Sequence, residues 1–247
     1  MRAQVRSELI KLRSTRTGWA MLLAMTGLVV LAVVLHSLLP ADELASRENV
    51  LMILGRGEFL GALFGALLGA LSITTEIRHG TIRPTLLFTP RRSRVVWAKV
   101  WVSVLAGAAL GLIAGGAAVG AGLAAFGARG IALGLDGTDY VLLILGSAAG
   151  GALWAAIGVG VGALVRHQVP TVVGICAWLL FVEGLLLGDL VGVGDVYKYL
   201  PGSAAAAVSG QGPGTLLTPV SALALLAVYA VVAAAAAVAA TSRRDVT

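Results

Sequence analysis

The sequence predicts an all-α protein that crosses a membrane several times, and two observations support this fold class. The chain has 247 residues, of which 58% are hydrophobic and only 12% are charged, with a mean hydropathy of +0.95. Soluble domains carry about 25% charged residues, so half that share favours a membrane protein. Long apolar runs also recur along the whole chain. We therefore expect a single transmembrane domain over residues 1–247.

Six apolar runs are candidate membrane spans. A helix rises about 1.5 Å per residue, so crossing a hydrocarbon core of about 30 Å takes about 20 apolar residues. The predicted spans are residues 18–39, 59–75, 100–126, 140–165, 169–188 and 219–240. The second is short, whereas the third and fourth are long enough to tilt or to extend beyond the bilayer.

The distribution of basic residues predicts how these spans are oriented. If the N-terminus, segment 76–99, Arg166 and the C-terminal arginines share one side, that side holds 14 of the 18 Lys and Arg residues. Because cytoplasmic loops carry the excess of Lys and Arg, the sequence predicts six spans with both termini inside. The same clustering at the ends of apolar runs argues against nucleic-acid binding, despite a pI near 10.1.

Residues 2–17 have the pattern of an amphipathic helix that lies in the membrane interface. Val5, Leu9 and Leu12 recur at helical spacing, and cations fill the other face. The alternative is an unstructured basic tail that only orients the first span. The cations of this helix that we expect at the membrane surface are Arg6, Lys11 and Arg13.

Small residues recur every fourth position in three of the predicted spans. The repeats are Gly61, Gly65 and Gly69 in the second span, Gly107, Gly111 and Gly115 in the third, and Gly146–Gly150 and Gly158–Gly162 in the fourth. Such spacing lets helix backbones approach closely in lipid, so it predicts a tightly packed bundle.

The outer end of the fifth predicted span carries Glu183, the only carboxylate within a predicted span. It is a candidate outer gate, a partner for the loop that follows, or a residue at the span boundary. Residues 189–218 form the longest predicted outer loop. Their sequence is compatible with either a re-entrant segment or an ordinary exposed loop.

The motifs of common enzyme classes are absent. The sequence has no phosphate-binding loop of the G-x4-G-K-[ST] type, no H-E-x-x-H and no G-x-S-x-G. Its three histidines are scattered and Cys176 is the only cysteine, so no metal-ligand spacing is present. We expect no catalytic, cofactor-binding or metal-binding residue in this chain, and any energy for active transport must come from a partner.

The cytoplasmic segment 76–99 has two helix breaks. Gly80 is placed to end the helix that continues from the second span, and Thr81 to cap a short helix in which Ile82 and Leu86 share one face. Thr89 and Pro90 repeat this start signal before the third span. The remaining cations and a tryptophan of the segment are expected at the membrane surface: Arg91, Arg92, Arg94, Trp97 and Lys99.

Several strings in this order resemble the membrane subunits, or permeases, of type-2 ATP-binding-cassette (ABC) exporters. They are the basic run from Ser7 to Arg13, the Glu76-x-Arg78-x-Gly80-Thr81-Ile82 segment with Thr89–Arg92, Lys99 at the start of the third span, and Tyr199–Gly202. The resemblance covers essentially the whole chain.

The resemblance implies a partner-driven exporter in a bacterial plasma membrane. Two six-span halves, identical or homologous, would each engage one of two separate ABC ATPase subunits, which bind the ATP and Mg. Segment 76–99 would be the coupling helix, residues 2–17 the interfacial elbow helix, and 189–218 the outer re-entrant helices. The coupling residues carried over by similarity are Glu76, Arg78, Gly80, Thr81, Ile82 and Leu86.

A second hypothesis does not require an ATPase. The chain would then be a secondary transporter, or a membrane scaffold whose basic loop binds lipid.

Overall fold

The computed structural model describes residues 2–40, 44, 46–80, 92–183 and 194–243, and every regular element in this part of the chain is helical. The α-helices are α1 (Arg2–Ser14), α2 (Arg16–Ser37), α3 (Arg47–Leu54), α4 (Arg56–Arg78), α5 (Arg92–Ala128), α6 (Gly137–Val165), α7 (Gln168–Ala177), α8 (Pro201–Val208) and α9 (Pro219–Arg243). A 3₁₀ turn at Gly194–Tyr199 precedes α8.

Among the described residues, five helical stretches are long and apolar enough to cross a membrane. They are Arg16–Ser37, Arg47–Arg78, Ser93–Ala128, Gly137–Val165 and Pro219–Thr241. The fold is therefore that of a multi-pass helical membrane protein, as predicted. The second and third of these helices begin well before the predicted starts of their spans, at 59 and 100.

The predicted fifth span, 169–188, is described as far as Glu183. Helix α7 starts at Gln168, and residues 178–183 continue it as a π-helix, giving an apolar helix over Gln168–Glu183. Residues 184–188 lie outside the described part. A π-helical turn changes which side chains lie above one another, and it places Trp178 and Glu183 within hydrogen-bonding distance.

Helices α4, α5 and α6 form the centre of the bundle, and the predicted glycine repeats lie where these helices touch. A Cβ on Gly65 of α4 would lie 2.5 Å from the carbonyl oxygen of Gly151 on α6. A Cβ on Gly151 would in turn meet the carbonyl of Gly107 on α5. Only residues without a side chain permit this approach, so the prediction of a tightly packed bundle is confirmed.

Helices α2 and α9 lie at the periphery of the bundle. Only 17% of the apolar window of α2 and 28% of that of α9 are buried within the chain, compared with 50–61% for the three central helices. Their exposed side chains are mostly Leu, Val and Trp, such as Trp19, Leu23 and Val220. These faces are suited to lipid or to another apolar surface.

The described helices alternate in direction, so polar residues gather at two ends of the bundle. The α1 end contains α1, the end of α4 at Arg78 and the starts of α5 and α7. The α8 end contains α8, the end of α2 and the starts of α4 and α6. At this end Arg47 pairs with Asp139, and Arg129 donates to the carbonyl of Ser37.

Two predicted segments differ in detail from the structure. The N-terminal helix, predicted over 2–17, ends at Ser14 because Thr15 adopts an extended conformation (φ −87°, ψ 131°) between α1 and α2. Within the predicted outer loop 189–218, residues 201–208 form α8, with Pro201 at the start of the helix. The Ala204 and Ala205 side chains are buried at 0% and 1% exposure, so this stretch is packed into the bundle.

Candidate functional site: polar clusters at the two ends of the bundle

Two lysines and two glutamates form a closed ion-pair ring at the α1 end. The Lys99 ammonium lies 2.9 Å from Glu8 Oε2 and 2.7 Å from Glu76 Oε1. The Lys11 ammonium lies 2.8 Å from Glu8 Oε1 and 2.7 Å from the same Glu76 oxygen. Each lysine therefore contacts both glutamates, and the ring has no net charge. We call these four residues the ion-pair ring.

Lys99 is the most buried member of the ring, with a side chain only 1% exposed. Besides the two carboxylates, its ammonium donates to the carbonyl oxygen of Ser72 at 3.0 Å. An ammonium has three hydrogens, so all of its donors are used. Ser72 can accept this bond because its carbonyl lies on α4 one turn before Glu76. A buried cation of this kind is stable only when it is paired and hydrogen-bonded in this way.

The ring joins three separate helices. Glu8 and Lys11 come from α1, where a spacing of three residues places them on one helix face. Glu76 comes from the last turns of α4 and Lys99 from the first turns of α5. The inward face of α1 therefore carries Glu8 and Leu12, while Leu9, predicted on the apolar face, is 39% exposed.

The ring keeps Lys11 protonated. Partial burial lowers the pKa of its ammonium, but the hydrogen bonds and attraction from Glu76 and Glu8 outweigh this effect and raise the pKa above its ordinary value. Lys11 is thus a fixed cation throughout the neutral range.

A cavity of about 410 Å³ lies beside the ring, between α1, α2, α4, α5 and α7. Its polar lining includes all four ring members together with Ser72, Thr75, Arg78 and Gln168. Arg78 donates to the side-chain oxygen of Gln168 at 3.2 Å, which links the end of α4 to the start of α7. We call this space the α1-end cavity.

The structure brings together three of the predicted site residues: Glu76, Lys11 and Lys99. The sequence predicts Lys99 at the membrane surface, but it lies inside the protein and contacts Glu8 and Glu76. Arg6, Arg78 and Arg94 are exposed, and Trp97 is 38% exposed. Gly80 follows the last turn of α4 with φ +69°, the left-handed conformation that ends helices, as predicted.

For the remaining predicted coupling and membrane-surface residues, the structure gives less information. Thr81, Ile82, Leu86 and Arg91 lie outside the described residues, so the predicted coupling helix is not part of the observed site. Arg13 and Arg92 belong to α1 and α5.

At the α8 end, Glu183 binds the first turn of α8. Its Oε1 accepts hydrogen bonds from the backbone N–H of Ser203 at 2.7 Å and from the Ser203 hydroxyl at 3.2 Å. Its Oε2 accepts from Trp178 Nε1 at 2.9 Å. A carboxylate at a helix N-terminus is stabilised by the free N–H groups and the helix dipole. Of the roles considered for Glu183, the structure places it as a partner of the segment that follows.

Gly202 makes this contact possible. A Cβ at this position would lie 2.8 Å from Glu183 Oε1 and 2.9 Å from Oε2. The glycine of the Tyr199–Gly202 string therefore leaves room for the buried carboxylate in its observed position. The sequence indicates a partner for Glu183 in the following segment, but the particular position, next to Gly202 at the start of α8, depends on the fold.

Sequence reasoning missed Glu58, which is buried at 3% exposure and lines a second cavity at the α8 end. Glu58 lies one residue before the predicted second span, 59–75, and within helix α4 of the structure. A signal was present in the spacing, since Glu58 precedes Gly61 by three residues and so shares the helix face of Gly61 and Gly65. That face packs into the centre of the bundle.

Within the described part of the chain, no three His, Cys, Asp or Glu side chains are grouped so that they could hold a metal ion. No protein-family model matches the sequence, and no curated protein matches it.

Proposed function

We propose that this chain is the permease subunit of a type-2 ABC exporter in a bacterial plasma membrane, powered by ATP hydrolysis on separate ATPase subunits. The proposal combines the sequence resemblance with the arrangement of charges at the α1 end. The substrate path would lie between this chain and a second permease half, identical or homologous.

The proposed topology has six spans, with α7 and the residues that follow it as the fifth. The α1 end is then cytoplasmic, because the segments at this end carry 14 of the 18 basic residues. Segment 76–99 would lie in the cytoplasm and be accessible to an ATPase. Gln168 and Arg78 would lie at the same membrane surface, consistent with their hydrogen bond.

The observation that carries the proposal is the position of the ion-pair ring. Glu76 and Lys99 are the two ends of segment 76–99, and their side chains are joined at 2.7 Å. The two ends of the segment are therefore held together by this ion pair. A displacement of that segment cannot be absorbed by separating the ends of α4 and α5 without breaking buried ion pairs.

The ring also includes α1, which would lie along the cytoplasmic membrane surface. In the proposed mechanism, ATP-driven closure of the two partner ATPases pushes on the segment between Glu76 and Lys99. The ion-pair ring transmits this push to α1, α4 and α5 together. Because α4, α5 and α6 pack closely at their glycines, the motion is expected to reorient the bundle against the second half.

This function is tested by reconstitution with the partner. An ATPase subunit with a phosphate-binding loop, encoded beside this chain, would be co-expressed with it and reconstituted into vesicles. ATP hydrolysis that requires both subunits and responds to a transported compound supports the proposal. If hydrolysis is the same with and without this chain, and the two proteins do not co-purify, the proposal is wrong.

An ion-coupled secondary transporter is the second candidate, and one observation favours it. Glu58 is a carboxyl group buried in a helix of the bundle, the kind of group that such transporters use. The two candidates differ in their energy source. Transport by vesicles that contain this chain alone, driven by a proton gradient and abolished by Glu58→Gln, would favour the second.

A further inference from the structure

The cavity at the α8 end has a volume of about 230 Å³. It is lined by polar groups that play no part in the proposed exporter mechanism. We call it the α8-end cavity. Arg56 and Glu58 line it from α4, Trp154 from α6, and Gln211 from the turn that follows α8. Three of these four residues carry a buried polar atom that has no hydrogen-bond partner among the described residues.

Glu58 is the group that most needs a partner. Its side chain is 3% exposed, and its one hydrogen bond within the described residues is a long one, from Gln211 Nε2 at 3.4 Å. Its other oxygen, Oε1, has no donor among these residues. An ionised carboxylate is costly to bury without donors or a cation, so the site favours a positively charged donor.

Two donors around the same cavity lack acceptors. The indole nitrogen of Trp154, a residue only 4% exposed, has no acceptor in the described part of the chain. The buried Nε of Arg56 has none there either. Among the ion pairs of the described residues, Arg56 and Glu58 are not joined to each other. Within the described residues, the cavity thus contains a carboxyl group and a guanidinium group that form no ion pair.

Glu183, the other carboxylate of this cavity, differs from Glu58. It is paired with Trp178 and with the start of α8, so its charge is already stabilised. The groups left for a ligand are therefore Glu58, Arg56 and Trp154. A ligand that carries one positive donor and one negative acceptor would satisfy all three and leave the charge balance unchanged.

Size and position restrict the ligand further. The volume equals that of roughly eight water molecules, enough for a compact polar group but not for a larger molecule. Glu58 lies 20 residues before Arg78 on one helix, a rise of about 30 Å, the thickness of the hydrocarbon core. If Arg78 lies at one membrane surface, the cavity lies at the level of the headgroups on the other.

We propose that the α8-end cavity binds an aminoethyl phosphate group, with the ammonium at Glu58 and the phosphate oxygens at Arg56 and Trp154. Phe59 and Tyr197 also line the cavity and supply aromatic surface beside the ammonium. The group belongs either to free phosphoethanolamine or to the headgroup of phosphatidylethanolamine. The site does not depend on the proposed function, and an ATPase plays no part in its test.

The test is binding to the purified full chain in detergent micelles and in nanodiscs. Calorimetry would compare phosphoethanolamine with ethanolamine, inorganic phosphate and phosphocholine, whose quaternary nitrogen cannot donate to Glu58. Native mass spectrometry would compare retained phosphatidylethanolamine with phosphatidylcholine. The variants are Glu58→Gln and Trp154→Phe, and their matched controls are Glu48→Gln and Trp101→Phe, which change exposed residues of the same types.

We expect phosphoethanolamine or its lipid to bind in preference to the other probes. Each cavity variant should weaken binding about tenfold or more, as expected for the loss of a charge-assisted hydrogen bond, while the controls bind like wild type. Competition of the free compound against the lipid identifies which source is preferred. Equal binding of inorganic phosphate or phosphocholine, or no binding of either aminoethyl phosphate form by wild type, overturns the proposal without any variant.

Discussion

The Lys99 ammonium and the Glu76 carboxylate lie 2.7 Å apart, although these residues stand at opposite ends of segment 76–99. Glu8 and Lys11 of α1 complete the ring around this contact. Because Lys99 is only 1% exposed, the contact is shielded from water. The two ends of the segment are therefore held together by ion pairs inside the protein. Variants of the ring residues should show how much these pairs contribute to stability.

Replacing Lys99 by Met should destabilise the protein. The change leaves Glu8 and Glu76 with Lys11 as their shared cation and removes the donor to Ser72, so the free energy of unfolding should fall by about 3 kcal/mol. Unfolding by SDS in mixed micelles measures this. The matched control is Lys198→Met, which breaks an exposed pair with Asp195 and should leave the unfolding curve unchanged.

The ring also predicts strong coupling between its members. In a double-mutant cycle of Lys99→Met and Glu76→Gln, the loss in the double variant should be smaller than the sum of the two single losses, by about 1–3 kcal/mol. The reason is that each single variant leaves a buried charge without its partner. Additive losses would mean that the two residues contribute independently, which contradicts the ring.

The stability contributed by Lys11 should depend on pH only in the alkaline range. The pKa of its ammonium is raised in the folded protein above the ordinary value of 10.5, so its contribution is complete below 10.5 and is lost as the pH rises through the folded value. The thermal midpoint should therefore show no Lys11-dependent change between about pH 6 and about pH 9. Lys11→Arg, which stays charged, should reduce the alkaline loss. A Lys11-dependent fall near neutral pH would contradict this reading.

The central glycine contacts can be tested with a matched pair of Gly→Ala changes. In Gly65→Ala the new Cβ would lie 2.5 Å from the Gly151 carbonyl oxygen, so α4 and α6 must separate and stability should fall. In Gly116→Ala the Cβ meets nothing within 4 Å, and the better helix propensity should leave stability equal or raise it by up to about 1 kcal/mol. Equal effects of the two changes on SDS unfolding would argue against this packing.

The pairing of Glu183 with α8 predicts a clear difference between two neighbouring positions. Gly202→Ala should displace the carboxylate, since its Cβ would lie 2.8 Å from Oε1, and should expose α8 to proteolysis. Ser203→Ala removes only the 3.2 Å hydroxyl bond and keeps the 2.7 Å backbone bond, so its effect should be smaller. Limited proteolysis of both variants provides the comparison.

The helices and their close packing could be predicted from the sequence because they depend on local patterns. Apolar length indicated the long helices, and the repeat that contains Gly65 indicated close contact. The left-handed turn at Gly80 was also predictable, because a glycine after a helix is a local signal.

The polar clusters could not be predicted in the same way, because their members are far apart in sequence. Lys99 has the position of an interfacial cation and shows its role only when Glu8 and Glu76 are placed around it. Glu58 lies just outside the predicted span 59–75, whereas the helix begins earlier, at Arg56, and carries this carboxyl into the protein interior. Which polar residues of different helices meet depends on how the helices pack, and local sequence patterns do not determine this.

The most direct test of the account is whether segment 76–99 holds the partner ATPase. Ile82→Asp would be compared with wild type and with Val196→Asp, a matched change at a 60% exposed residue at the opposite end of the bundle. Membranes that contain each form and the candidate ATPase would be solubilised, and the ATPase that co-purifies would be quantified. We expect the ATPase to be retained by wild type and Val196→Asp and lost by Ile82→Asp. Equal retention by all three would contradict the coupling role.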